Sequence, residues 1–191
     1  MLESPAKVFN SRQLLKASLI FVISYFIFLV LWVRINDRYC LEITKITTFL
    51  TTKIERVDLI NIEMKSNVIE AVLRPQRPGA SNLLYNYHLP GPVSFTVPVT
   101  LAIIAAFWPF MKRKLVCVGA IVILVIANTL VIFCHEADQV SFGMMHLGYS
   151  PMSSFKDYFG GILSVDMTYM GTYLTPFLIG VVLYLNQKTK A

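Results

Sequence analysis

The stretch Ala105–Gly119, AAFWPFMKRKLVCVG, places three consecutive cations, Lys112, Arg113 and Lys114, between two long apolar runs. Hydrophobic residues make up 55% of the 191-residue chain and charged residues only 15%, against roughly 25% in a soluble domain. The charge deficit is concentrated in uncharged segments of about twenty residues, the length that a helix needs to cross about 30 Å of hydrocarbon. The sequence therefore predicts an α-helical membrane protein in which these cations form a turn between two spans.

Four transmembrane helices are predicted from the apolar segments. They cover residues 17–35, 93–111, 115–134 and 169–186. The first apolar run is longer than that of a usual signal peptide, and no small-x-small cleavage site follows it, which favours a helix that is retained.

The cations near the span ends predict the orientation, because Lys and Arg favour the cytoplasmic side. Cations precede the first span, fill the turn 112–114 and follow the last span, and these three places alternate correctly for four crossings. The residues taken as topology anchors are Lys112, Arg113, Lys114, Lys188 and Lys190. Both the N-terminus, residues 1–16, and the tail, residues 187–191, are expected in the cytoplasm.

The net charge of +6 does not indicate nucleic-acid binding. The cations are scattered at helix ends and do not form an aromatic and basic surface of the kind that binds nucleic acid. Anionic lipid headgroups are the expected partners of these side chains.

The first outward segment, residues 36–92, is long enough to form a small α+β lobe. Its first part has Tyr39, Ile43, Ile46 and Leu50 at helical spacing, which predicts an amphipathic helix. Beyond that helix, two runs of alternating residues around Ser66-Asn67 predict a β-hairpin. The apolar members of the runs are Ile60, Ile62 and Met64 in the first and Ile69, Ala71 and Leu73 in the second.

A lone hairpin is only marginally stable, so the hairpin is expected to pack against the amphipathic helix, the membrane surface or another protein. Tyr85 and Tyr87 are typical of interfacial aromatics that fix the start of the next span. The predicted interaction surface consists of Ile60, Ile62, Met64, Ile69, Leu73, Tyr85 and Tyr87.

Reactive side chains gather only on the predicted outer side. They are His88, Cys134, His135, Glu136 and His146, the last four in or next to the second outward loop, residues 135–168. No pair has the tight spacing of metal ligands, and no cofactor is expected. A cysteine–histidine dyad of Cys134 with His88 or His146 stays an alternative, since the adjacent His135 would point about 100° away on a helix.

Two further alternatives remain open. Cys40 and Cys134 both lie near the outer face, where they form a disulfide in an oxidising compartment or remain separate thiols.

None of the predicted spans holds an acid or a base at mid-depth, which argues against an ion pathway. Asn128 and Thr129 are expected to hydrogen-bond between helices.

Two segments carry a resemblance to a known family. Asn82–Phe107 (NLLYNYHLPGPVSFTVPVTLAIIAAF) is similar to an aromatic-Leu-Pro segment that runs into an apolar span, and Thr172–Lys188 (TYLTPFLIGVVLYLNQK) to a Pro-containing final helix. In these features the chain resembles the small exosortase-associated membrane proteins that accompany exosortase H. The resemblance implies a bacterial inner-membrane protein with a periplasmic lobe, acting beside an exosortase or an export component.

The predicted function is a non-enzymatic accessory or scaffold protein of a protein-sorting or export system. The Cys, Arg and His pattern of exosortases themselves is not found in this sequence. The alternatives are a membrane-embedded cysteine enzyme that uses Cys134 and a small subunit of a membrane transport complex.

Overall fold

A computed structural model of the chain describes residues 11–65, 68–88, 91–111, 113–148 and 166–186. The described part is mostly helical and contains one small three-stranded sheet. The elements are α1 (Ser11–Glu55), β1 (Val57–Lys65), β2 (Val68–Pro75), β3 (Leu83–His88), α2 (Gly91–Phe107), α3 (Leu115–His146) and α4 (Asp166–Leu185). A single 3-10 turn, Trp108–Phe110, follows α2.

Helix α1 is continuous over 45 residues, a length of about 68 Å. It contains both the predicted first span and the predicted amphipathic helix, so residue 35 is not the end of a helix. The sequence of α1 has no Gly or Pro that would break it. The first part of the lobe is therefore a direct extension of the predicted span.

Helix α3 also passes its predicted end, at Cys134, and continues to His146. The first twelve residues of the predicted second loop are thus helical. The helix ends where the backbone N–H of Leu147 donates to the Gly143 carbonyl and Gly148 takes a φ of +74°, a conformation that glycine adopts without strain. The rest of that loop, with the short helix expected near Ser154, lies outside the described residues.

The three strands form an antiparallel meander in the order β1-β2-β3. The predicted hairpin is confirmed as β1 and β2, and its register slips between Leu59 and Asn61, so a bulge takes Ile60 out of the alternation. Strand β3 was not expected, because its residues were interpreted as an approach to the membrane. The buried face of β2 consists of Ile69, Ala71 and Leu73, as predicted.

Helices α1 and α3 run parallel in a constant register. The two side-chain hydrogen bonds between them, Tyr39 with Asn128 and Thr47 with Glu136, each join residues that are 89 positions apart. The same offset places Leu115, the first residue of α3, level with Phe26 of α1. Residues 11–25 of α1 therefore extend about 22 Å past the start of α3.

The core forms successive layers along this helix pair. Near the α2–α3 turn, Trp32 of α1 packs with side chains of α2, α3 and α4, including Leu124 and Leu183. Further along, Ile43 and Ile132 contact the sheet through Ile69 and its neighbours. A last layer joins the end of the sheet to the end of α3. The sheet thus packs on the C-terminal halves of α1 and α3, called here their distal halves. The N-terminal half of α1 is called its proximal half.

Two helices, α1 and α3, are long and apolar enough to cross a membrane. In α2 and α4 the apolar stretches are shorter, Phe95–Phe110 and Leu174–Leu185. Helices occupy all four predicted segments, although the second segment continues past α2 as the 3-10 turn, and two of these helices have a length and composition that suit a membrane.

Candidate functional site

Cys134 and His146, two of the reactive residues on the predicted outer side, do not share one site. Cys134 and His146 stand twelve residues apart on α3, which separates them by about 18 Å along the helix. The Cys134 side chain packs with Phe133 and Ala137, whereas the exposed His146 ring lies 4.4 Å from that of Phe142. A thiol–imidazole hydrogen bond between Cys134 and His146 is therefore incompatible with this fold.

Of the two alternatives for Cys40 and Cys134, the structure has the separate thiols. Cys40, Cys117 and Cys134 are buried free thiols. Within the described ranges, no group of three or more His, Cys, Asp or Glu residues could hold a metal ion. His88 ends β3, where its backbone is opposite Val68.

Two of the five topology anchors lie in the described part of the chain. Arg113 and Lys114 are exposed in the turn between α2 and α3, and the Lys114 ammonium lies 5.1 Å from the centre of the Trp108 ring. Lys112, Lys188 and Lys190 fall outside the described residues. The predicted basic turn therefore presents two exposed cations, one of them beside an aromatic ring.

Three of the seven residues of the predicted interaction surface belong to the core. Ile69 and Leu73 have no exposed surface, and Tyr85 retains 8%, because this face of the sheet packs on α1 and α3. Ile62 and Met64 are half-buried. Among the residues of this surface whose side chains the structure describes, only Ile60, at the bulge, is exposed, with 49% of its surface accessible. For Tyr87 the structure gives a backbone position, opposite Ile69.

The distal half of α1 buries a different face from the predicted one. Ile43 is buried as expected, but Ile46 and Leu50 are 54% and 41% exposed. The residues without exposed surface are Thr44, Thr47, Thr48 and Thr51, called here the threonine face. On the outside lie Ile46, Phe49, Leu50 and Ile54, called here the apolar strip. This half of the helix therefore buries a row of threonines beside Cys40 and Ile43, and exposes the apolar strip beside the charged side chains of Glu42, Lys45 and Lys53.

A carboxyl group is buried against the threonine face. Glu136 of α3 has no exposed surface, and the Thr47 Oγ1 lies 2.7 Å from its Oε2 and 2.9 Å from the Thr44 carbonyl oxygen. The Thr48 hydroxyl is close enough to lower the pKa of Glu136, although its geometry is not that of a formed hydrogen bond. Burial is the larger influence and raises the pKa of Glu136 to about 7.

A second polar contact joins three helices nearer the α2–α3 turn. The Asn128 amide donates to the Tyr39 hydroxyl at 3.1 Å, and the Thr96 hydroxyl donates to the Asn128 carbonyl at 3.2 Å. The expected interhelical hydrogen bond of Asn128 is confirmed. Thr129 instead donates to the Val125 carbonyl of its own helix.

Sequence reasoning missed the pairing of Glu136 with the threonine face. Positions 44, 47, 48 and 51 follow the i, i+3, i+4, i+7 spacing of one helix face, so the signal was present. The prediction instead followed the apolar residues beside the threonines, Ile46 and Leu50, as the buried face.

No known family model, curated protein or solved structure matches this chain.

Proposed function

We propose that this chain is an integral membrane protein that serves as a non-enzymatic accessory or scaffold subunit of a protein-sorting or export system in a bacterial inner membrane. It has four spans, cytoplasmic termini and a periplasmic lobe built on the distal halves of α1 and α3. The observation that supports this proposal best is the apolar strip on the part of α1 beyond the predicted span.

The apolar strip has the character of a contact surface. Its four side chains are 38% to 59% exposed, although the opposite face of the same helix is filled with threonines. Contiguous apolar side chains on a surface mark sites of protein or membrane contact. The exposed Ile60 at the sheet bulge is a further apolar side chain of the lobe. A partner's surface covers this strip, so the contact surface shifts from the sheet face to the helix.

The proximal half of α1 also exposes apolar side chains that the chain itself does not bury. Between residues 17 and 33 only Ala17 and Trp32 are buried, and the segment extends past the start of α3. A helix with so much exposed apolar surface belongs in a bilayer or in a larger protein. Lipid and a partner's transmembrane helices cover this segment.

The competing proposal of a cysteine enzyme receives less support from the geometry. A nucleophilic thiol needs a base within hydrogen-bonding distance, and Cys134 has apolar neighbours and stands a helix segment away from His146. A scaffold needs no catalytic group. It needs a surface that contacts a partner, and the apolar strip of α1 is such a surface.

The experiment that tests the proposal is an affinity pull-down from native membranes in mild detergent, followed by mass spectrometry. Wild type is compared with Phe49→Glu, which places a charge on the apolar strip. The matched control is Glu42→Gln, which changes charge at an exposed position of the same helix half. We expect a sorting or export component to be recovered with wild type and control, and to be lost with Phe49→Glu.

Recovery of the same component at equal yield with all three proteins would remove the strip from the contact. If the chain is recovered alone in every case, the accessory function is wrong and only the membrane assignment is left.

A further inference from the structure

The Glu136 carboxyl group is buried without a positive partner. Its contacts are the hydroxyl groups of Thr47 and Thr48, and none of the Lys, Arg or His residues in the described part of the chain forms an ion pair with it. An ionised carboxylate is costly to bury unless another group neutralises it. The packing of α1 on α3 therefore requires a proton or another cation at this position.

The surrounding elements do not supply that charge. The titratable side chains on their buried or half-buried surfaces around this level are Tyr39, Cys40 and Glu55 on α1, Tyr85 on β3, and Cys134, His135 and Asp138 on α3. Burial lowers the pKa of His135 more than Asp138 raises it, which favours the neutral imidazole. The charged side chains Glu63, Lys65 and Glu70 of the hairpin pair with one another.

Several buried oxygen atoms of Glu136 and of the threonine face have unused bonding capacity. The Oε1 of Glu136 and the hydroxyl oxygens of Thr44, Thr48 and Thr51 are buried and make no hydrogen bond within the described residues. Buried polar groups in proteins are almost always satisfied. Carboxylate and hydroxyl oxygens are the ligands that hard cations prefer.

The hydroxyl group of Thr47 can serve both protonation states of Glu136. It has a single hydrogen and lies within hydrogen-bonding distance of the Thr44 carbonyl and of Glu136 Oε2. When that hydrogen is donated to the carbonyl, a protonated Glu136 donates to Thr47. When Glu136 is ionised, Thr47 donates to the carboxylate. The hydrogen bond between α1 and α3 is kept in both arrangements.

We propose that Glu136, Thr47 and Thr48 form a buried site for a monovalent cation, either H⁺ or Na⁺, which neutralises the carboxylate. The site joins α1 to α3 beyond the predicted spans, so its occupancy stabilises the base of the lobe. The raised pKa of Glu136 agrees with occupancy by a proton near neutral pH. The proposal goes beyond the accessory function and does not depend on any partner protein.

The test uses the full chain in lipid nanodiscs and infrared spectroscopy of protonated carboxyl groups between about pH 4 and pH 9. The band that belongs to Glu136 is assigned by its loss in Glu136→Gln, which keeps the shape of the side chain and carries no charge. Glu42→Gln, at an exposed carboxylate, is the matched control. Each titration is run in sodium chloride and in N-methylglucamine chloride at one ionic strength.

We expect a Glu136 band that disappears with a midpoint near pH 7 in N-methylglucamine. A midpoint that sodium leaves unchanged identifies H⁺ as the occupant. A midpoint that falls by about one pH unit for each tenfold rise in Na⁺, because the two cations compete for one carboxylate, identifies Na⁺. Thr48→Val should weaken this competition at least severalfold.

Two results would overturn the proposal. One is a Glu136 band already lost by about pH 5 in both salts, as for an exposed glutamate. The other is the absence of any band that Glu136→Gln removes, in protein whose helical content equals that of wild type.

Discussion

The two halves of α1 belong to one unbroken helix but bury opposite kinds of side chain. In the proximal half, the apolar side chains between residues 17 and 33 are exposed or half-buried, and only Ala17 and Trp32 are buried. In the distal half, the threonine face is buried against α3 and the apolar strip is outside. Apolar character therefore does not decide which face of α1 is inside. The element that packs against each half decides it. In the distal half that element is α3, whose Glu136 accepts a hydrogen bond from Thr47 on the threonine face.

The contrast has a simple physical origin. A carboxyl group in a buried position needs hydrogen-bond donors, and the β-branched threonine offers a hydroxyl at little cost in volume. Once Glu136 faces α1, the hydroxyl-bearing face must turn inward. The apolar side chains on the remaining faces, such as Ile46 and Phe49, are then left outside for another surface to cover.

The largest expected effect compares isoleucines in the two halves. Ile43→Ala removes a side chain that is 4% exposed, and should lower the free energy of unfolding by about 2–5 kcal/mol. Ile27→Ala removes one that is 54% exposed, and should change it by less than about 0.5 kcal/mol in detergent. Denaturant unfolding in a non-ionic detergent measures both. Equal losses would show that the proximal half is packed within the chain.

The next effect is the pH dependence caused by Glu136. Its pKa is raised from 4.5 to about 7 in the folded protein, so the folded state binds this proton more tightly than the unfolded state. The stabilisation is complete below about pH 4.5 and is lost as the pH rises through 7, a total of about 3 kcal/mol. Subtracting the curve of Glu136→Gln from that of wild type isolates this contribution. A difference curve that is flat from pH 4 to 9 would contradict it.

A smaller effect is expected from the hydroxyl groups of two tyrosines on α1. Tyr39→Phe removes the oxygen that accepts from Asn128, and should cost about 1 kcal/mol. Tyr25→Phe keeps the ring that stacks on Phe21 at 6.1 Å, and should leave stability unchanged within about 0.5 kcal/mol. Thermal unfolding monitored by circular dichroism resolves the pair. A larger loss for Tyr25→Phe would mean that the proximal half makes the tighter polar contacts.

The smallest effect belongs to the apolar strip. Phe49→Ser changes a ring that is 59% exposed, so the isolated protein should lose no more than about 0.5 kcal/mol. The same change should reduce recovery of the partner in the pull-down. A large loss of stability in the isolated protein would show that Phe49 is held within the chain.

Composition and charge placement were sufficient to predict the helices, the hairpin and the basic turn. They were insufficient for the helix ends, because neither Arg34–Asp37 nor His135-Glu136 interrupts a helix that continues to pack. Strand β3 was missed since its tyrosines also suit a membrane interface. The Glu136 site depends on two helices that are 89 residues apart in register, and no local pattern in either helix specifies that register.

The two halves of α1 can be compared directly by cysteine scanning from residue 17 to residue 54 in native membranes. The native Cys40, Cys117 and Cys134 are replaced by Ala, and each new thiol is tested with a membrane-impermeant reagent. The account predicts no labelling from 17 to 33. From 36 to 54 it predicts labelling with a helical period, strong at Glu42 and Lys45 and absent on the threonine face. Helical periodicity through the proximal half, or strong labelling at Thr47 and Thr48, would contradict it.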